Sequence, residues 1–189
     1  MHFSHVISRL VAKPYLLLVL LFLISLPAVT VRFYASDEIE YFAYLRSMWF
    51  DGDLSFDNEY RHFYETASAQ GRRDRPGGSP YGERFHDTFL GGTTKTGLRI
   101  NFAPVGSAIL WAPFYIVADT GVRIARAFGS DIPADGYSTP YIAAVVYASA
   151  FYGFVALLLS IAAATTVVAD GTRRQNAVTI AALAAWLGT

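Results

Sequence analysis

The chain has 189 residues, zero formal net charge and no cysteine. A zero balance lacks the basic excess that nucleic-acid binding needs, and the missing thiols exclude a disulfide framework and thiolate zinc sites. Hydrophobic residues make up 53% of the chain and are gathered into runs, so their order carries more information than their total.

Residues 1–13 hold Arg9 and Lys13 and are expected to form a cytoplasmic N-terminus. Residues 14–31, PYLLLVLLFLISLPAVTV, carry no charge. As a helix they would extend about 27 Å, close to the hydrocarbon core of a bilayer. Ala28-Val29-Thr30 and Phe33-Tyr34-Ala35 make poor signal-peptidase sites. The run is therefore expected to be an uncleaved first transmembrane helix.

SDEIEY, residues 36–41, follows directly. Carboxylates are costly beside hydrocarbon, so their placement needs a reason. Ser36 suits an N-cap, and Asp37 and Glu38 would fall in the first helical turn, where the macrodipole favours negative charge. A juxtamembrane helix from Asp37 to about Phe50 would line up Tyr41, Leu45, Met48 and Trp49 as an apolar stripe. One reading of Asp37 and Glu38 is that they only stabilise that helix start.

DGDLSFDNE, residues 51–59, invites a calcium reading. An EF-hand loop beginning at Asp51 would need Gly at its sixth position and Glu at its twelfth. Phe56 and His62 stand there instead, so the EF-hand is rejected. Looser binding of a divalent cation by Asp51, Asp53 and Asp57 stays open. His62 and His86 lack the paired spacing of a helical zinc site and read as ordinary loop residues; no metal ligands are assigned. Residues 70–85, QGRRDRPGGSPYGERF, read as a solvated loop.

Residues 94–115, TKTGLRINFAPVGSAILWAPFY, place Lys95 and Arg99 just ahead of an aromatic, proline-containing amphipathic segment. Cations beside an apolar surface suit a lipid-linked phosphate. The competing reading is interfacial anchoring by Lys95, Arg99, Trp111 and Tyr115. Residues 104–127 are expected to form a second juxtamembrane helix. Residues 141–168 would be the second transmembrane helix, with Ala144 and Ala148 at a spacing that permits close helix packing. Residues 169–175, with Arg173 and Arg174, would be a cytoplasmic loop. Residues 176–189 read as the start of a further span in a longer polytopic protein.

With two complete spans, both basic clusters are cytoplasmic and residues 32–140 are exoplasmic. If residues 100–118 also crossed, Arg173 and Arg174 would lie outside, against the positive-inside tendency. That segment is therefore expected to lie on or dip into the outer leaflet.

Taken together, these features resemble the N-terminal region of GT-C glycosyltransferases. The residues carrying the resemblance are the first span, Asp37-Glu38, Tyr41, Gly52-Asp53, the segment NFAPVGSAILWAPF with Pro104 and Gly106, the second span, and Arg173-Arg174. In pattern the chain is most similar to protein O-mannosyltransferases and lipid A aminoarabinose transferases. The resemblance implies an all-α polytopic membrane protein with a long exoplasmic first loop carrying juxtamembrane helices, sited in a bacterial inner or plasma membrane. It implies sugar transfer on the exoplasmic side, from a polyprenyl-phosphate donor to a hydroxyl of a lipid, glycan or protein acceptor. Asp37 matches the catalytic base, and Glu38 would orient the acceptor or the loop. Tyr41, Asp53, Lys95, Arg99 and Asn101 are the expected substrate contacts, with Lys95 and Arg99 on the phosphate. The aminoarabinose enzymes carry a basic residue where this chain has Glu40, so the sugar is not implied. Two other readings fit the same spans. One is a small non-catalytic membrane protein displaying an exoplasmic interaction loop. The other is a lipid-phosphate transporter or flippase fragment, against which the absence of charge within the spans argues.

Overall fold

The structure is a computed structural model that describes residues 14–33, 35–69 and 85–167. Most of the basic loop at 70–85, the Arg173-Arg174 pair, the N-terminal Arg9 and Lys13, and the apolar run 176–189 lie outside the described residues. Among the described residues the architecture is all-helical, and the only strand-like pairing is an isolated antiparallel bridge between Thr93 and Arg99.

Helix α1, Pro14–Ser25, continues as a single 3-10 turn over Leu26–Ala28. The α-helical part of the first apolar run is thus shorter than the run itself. Pro27 has no N–H to continue the ladder, and Ser25 Oγ–H turns back onto the Phe22 carbonyl at 2.8 Å.

Helix α2, Ser36–Arg46, starts one residue earlier than the sequence suggested. Ala35, in extended conformation, occupies the cap position in place of Ser36. Glu38 compensates, its Oε2 accepting the Ala35 N–H at 3.1 Å. The helix then widens into a π-type turn over Ser47–Asp51, closed by Gly52 N–H donating to Ser47 O at 2.8 Å. Gly52 adopts φ +72°, a left-handed conformation that ends the helix. The buried face of α2 is Ile39, Phe42, Ala43 and Leu45, whereas Met48 and Trp49 are exposed. The buried face is thus centred on Ile39, Phe42 and Ala43 and not on the expected stripe of Tyr41, Leu45, Met48 and Trp49, and Met48, nine residues from Ile39, falls on the opposite side of the helix.

Helix α3, Asp57–Ala69, occupies a segment where no helix was expected. Asp57 and Glu59 fall in its first turn, and Tyr60 is fully buried. His62 is therefore a helical residue, its ring stacked on Tyr137 at 3.8 Å. A second π-type turn spans His86–Leu90.

Helix α4, Gly106–Ala127, buries Ala108, Tyr115, Asp119 and Val122 along one face and leaves Ile109, Leu110, Val117 and Ile124 exposed. Helix α5 runs from Thr139 to Val167. The stretches Gly106–Ala127 and Thr139–Ala163 are both long and apolar enough to cross a membrane.

Two compact units are present. In the unit formed by residues 31–148 the core is aromatic: Phe42 contacts Phe33, Phe63 and Tyr115, and Tyr60 contacts Phe56, Phe85 and Phe89. Gly136, at φ +81°, is placed so that a Cβ would meet Tyr115 Oη at 2.6 Å and the Phe50 ring at 2.8 Å. Only glycine lets the chain pass that close to the core, and Tyr115 Oη–H seals the approach by donating to Gly136 O at 2.9 Å. In the other unit, Leu18 of α1 and Ile161 of α5 are buried, and the Phe22 and Phe154 rings stack at 4.4 Å.

A buried ion pair lies at the centre of the 31–148 unit. Arg46, at the end of α2, donates from Nη1 to Glu59 Oε1 of α3 at 2.9 Å and also pairs with Asp51. Its guanidinium packs over the Tyr137 ring at 4.6 Å. The Glu59 side chain is fully buried. Burial pushes its pKa up to about 7, against the pull of Arg46. The folded pKa lies above the ordinary value of 4.5, so this group's contribution to stability is fully present below that value and lost as pH rises through about 7. The melting temperature of the protein should fall between pH 5 and pH 8, and Glu59→Gln should flatten that slope. A slope unchanged in the variant would assign the pH dependence to other groups.

Candidate functional site

The head of α2 gathers three of the residues singled out in the sequence. Asp37 is exposed in the first turn. Tyr41, one turn on and on the same side, is half-buried with its ring edge-on to Trp111 of α4 at 6.1 Å. Glu40, three residues after Asp37, is buried, and it joins this turn to the segment leading into α4. Its Oε1 accepts the Phe102 N–H at 2.7 Å. Its main-chain carbonyl accepts Asn101 Nδ2–H at 2.9 Å, and Asn101 Oδ1 in turn accepts the Ala103 N–H at 2.9 Å. Burial raises the Glu40 pKa, the Asp37 charge adds to the rise, and the Phe102 and Ala103 N–H groups oppose it. One exposed and one buried carboxylate thus share a helical turn, in environments that differ sharply.

The remaining predicted residues sit in settings of their own. Glu38 is taken up by the Ala35 N–H. Asp53 closes a polar turn, its Oδ1 accepting Ser47 Oγ–H at 2.7 Å and the Ser55 N–H at 3.0 Å. Those two bonds hold its pKa below the usual aspartate value. Arg99 pairs with Asp57, Nε to Oδ1 at 2.7 Å, and also donates from Nη1 to the Leu90 carbonyl. Lys95 is exposed in the tight turn closed by Gly97 N–H to Thr94 O at 3.0 Å, at the tip of the loop bridged by Thr93 and Arg99.

Asp51, Asp53 and Asp57, the carboxylates that left a divalent cation open, take separate partners. Asp51 accepts from Arg46 and from Asn58 Nδ2–H, Asp53 from Ser47 and Ser55, and Asp57 from Arg61 and Arg99. Among the described residues, no group of three His, Asp or Glu side chains is arranged to hold a metal ion.

Sequence reasoning ranked Glu40 low and passed over Arg46, Glu59 and Asp119. Asp119 sits buried in the apolar helix α4 and accepts Trp49 Nε1–H at 3.1 Å, Tyr141 Oη–H at 2.8 Å and Arg123 Nε–H at 2.8 Å. One signal was available for Asp119: it is a charged residue set among apolar neighbours at its helix's core-facing period. An apolar groove of about 540 Å³ runs between α4 and α5, lined by Pro113, Phe114, Val117, Ala118, Ala144 and Tyr147. Its walls carry hydrocarbon and no charge. No family model, curated protein or solved structure matches this chain, so the argument for function rests on the site itself.

Proposed function

We propose that this chain forms part of a membrane glycosyltransferase that moves a sugar from a polyprenyl-phosphate donor to an acceptor hydroxyl on the exoplasmic face. The observation that carries the reading is the exposed Asp37 at the head of α2, one turn from a buried Glu40 that ties this turn to the lead-in of an apolar helix. That arrangement holds a carboxylate free to accept a proton, on a helix whose inner face is fixed by packing. The adjoining helix offers a lipid tail an apolar surface.

In this reaction the acceptor oxygen bonds to the anomeric carbon as the bond from that carbon to the phosphate oxygen breaks. The electron pair leaves with polyprenyl phosphate, and the hydroxyl proton passes to Asp37. Positive charge near the leaving phosphate lowers the barrier. On this reading Lys95 carries more of that role than Arg99, whose charge is already met by Asp57. Tyr41 and Asn101 flank the same turn and would contact the sugar or the acceptor. In the membrane topology that fits this chemistry, α5 crosses and α4 lies along the outer leaflet with its exposed apolar face in lipid.

The test is made with the full-length protein in phosphatidylcholine vesicles. Polyprenyl-phosphate-linked mannose or aminoarabinose carrying a radiolabel is added, and release of polyprenyl phosphate is followed. Consumption of one of these donors that depends on an added hydroxyl acceptor is the expected result. A protein that consumes neither, with any lipid, glycan or peptide acceptor, overturns the proposal.

A further inference from the structure

We infer that Glu40 is a positioning residue of this site: its buried carboxylate clamps the Asn101–Ala103 backbone against the helical turn that presents Asp37. The inference rests on the reading of Asp37 as the base of a transferase, and it deepens that reading by naming what holds the site together.

The geometry is specific. Glu40 is only 6% exposed, yet it lies directly after the exposed start of α2. Packing alone would favour an apolar residue there, and a carboxylate in such a place needs donors. Phe102 N–H supplies one at 2.7 Å. The reciprocal bond from Asn101 Nδ2–H to the Glu40 carbonyl fixes the same two segments a second time. Tyr60 Oη–H holds the next residue back, donating to Ile100 O at 3.2 Å. The segment from Ile100 to Ala103 therefore has no regular secondary structure of its own and takes its position from side chains of α2 and α3. Phe102 itself is 69% exposed and its ring meets Phe89 only edge-on at 6.4 Å, so the hydrogen bonds are the closer hold on this segment. Arg99 and Lys95 lie just upstream in the same segment. Arg99 keeps its own hold on Asp57 and the Leu90 carbonyl, so releasing the clamp would loosen Asn101–Ala103 and the lead-in of α4 relative to Asp37.

Two variants of the full-length protein test this. Glu40→Ala removes the acceptor, and Glu40→Gln keeps an amide oxygen for the Phe102 N–H while removing the charge. The probe is polyprenyl monophosphate in phosphatidylcholine vesicles, with binding read from Trp111 and Trp49 fluorescence. Backbone hydrogen exchange at Phe102 reports the clamp directly. Glu40→Ala is expected to speed exchange at Phe102 and to weaken binding by about tenfold or more, the scale of losing a hydrogen bond to a charged group. Glu40→Gln should restore slow exchange and bring binding back to within about threefold of the wild type. Unchanged exchange at Phe102 in Glu40→Ala overturns the clamp. A Glu40→Ala protein that melts lower but binds the probe as tightly as the wild type overturns the positioning role, since that is what a purely structural carboxylate does. Glu40→Gln failing as badly as Glu40→Ala also overturns it. A wild-type protein that binds these vesicles no better than plain phosphatidylcholine defeats the transferase reading instead, and exchange at Phe102 in the two variants still decides the clamp.

Discussion

Asp37→Asn should lower sugar transfer by the full-length protein at least about 10²-fold, the lower end of what a general base contributes, with little change in melting temperature. The side chain is exposed at the head of α2, so an amide of the same shape leaves the packing of the unit untouched. It keeps an oxygen but can no longer take the acceptor's proton. Glu38→Gln should cost less, because Glu38 serves the Ala35 N–H and an amide oxygen still accepts that bond. If Asp37 and Glu38 act only on the helix dipole, the pattern is different. Each substitution then costs about 0.3–1 kcal/mol of stability, and transfer per folded molecule is preserved. Rate and melting temperature measured on the same samples separate the two. Asp37→Asn protein that transfers at the normal rate ends the assignment of Asp37 as base.

Arg46→Ala should have the largest effect on stability. It removes the partner of a fully buried carboxylate, and breaking a buried pair from one side typically costs about 3–5 kcal/mol. It also strips the cation from the faces of Tyr137 and Phe50. The loss should be greatest at pH 8, where Glu59 is ionised, and smaller at pH 5, where a carboxyl group with a pKa near 7 is already protonated. Replacing both partners with apolar residues, as in Arg46→Met with Glu59→Leu, should recover most of the lost stability, because the cost lies in leaving one charge unpaired. Denaturant unfolding of the three proteins at the two pH values checks this. An Arg46→Ala protein as stable as the wild type at pH 8 would mean that Glu59 finds another partner or solvent.

How much of this was legible in the sequence depended on how local the cause was. The α5 helix was legible because its cause is an uninterrupted apolar run, and the bounds of α4 were close to those expected because its amphipathic pattern survives Pro113. Helix α2 was legible at its start, where two acidic residues sit in the first turn. Its end was not, because the π-type turn over Ser47–Asp51 depends on a single closing bond to Gly52 that no periodicity reveals. Helix α3 was hidden behind its acidic residues, which suggested ligands when they sit in a helix's first turn and pair with Arg46, Arg61 and Arg99. At the candidate site, the exposure of Asp37 could be read from its neighbours. The burial of Glu40 could not, because its donor is a backbone N–H more than sixty residues away.

Asp119 carries a consequence for how α4 is seated. At the centre of an inserted helix, an isolated aspartate costs about 2.5–3.5 kcal/mol on scales derived from translocon insertion. A cost of that size would favour a surface position for α4 over a crossing one, despite its length and apolar content. In the folded unit the carboxylate is satisfied by Trp49, Tyr141 and Arg123. Trp49 is made before α4 during synthesis, whereas Tyr141 emerges only afterwards, at the head of α5. The bond from Tyr141 therefore ties the seat of Asp119, and with it α4, to the head of α5, which follows it in the chain.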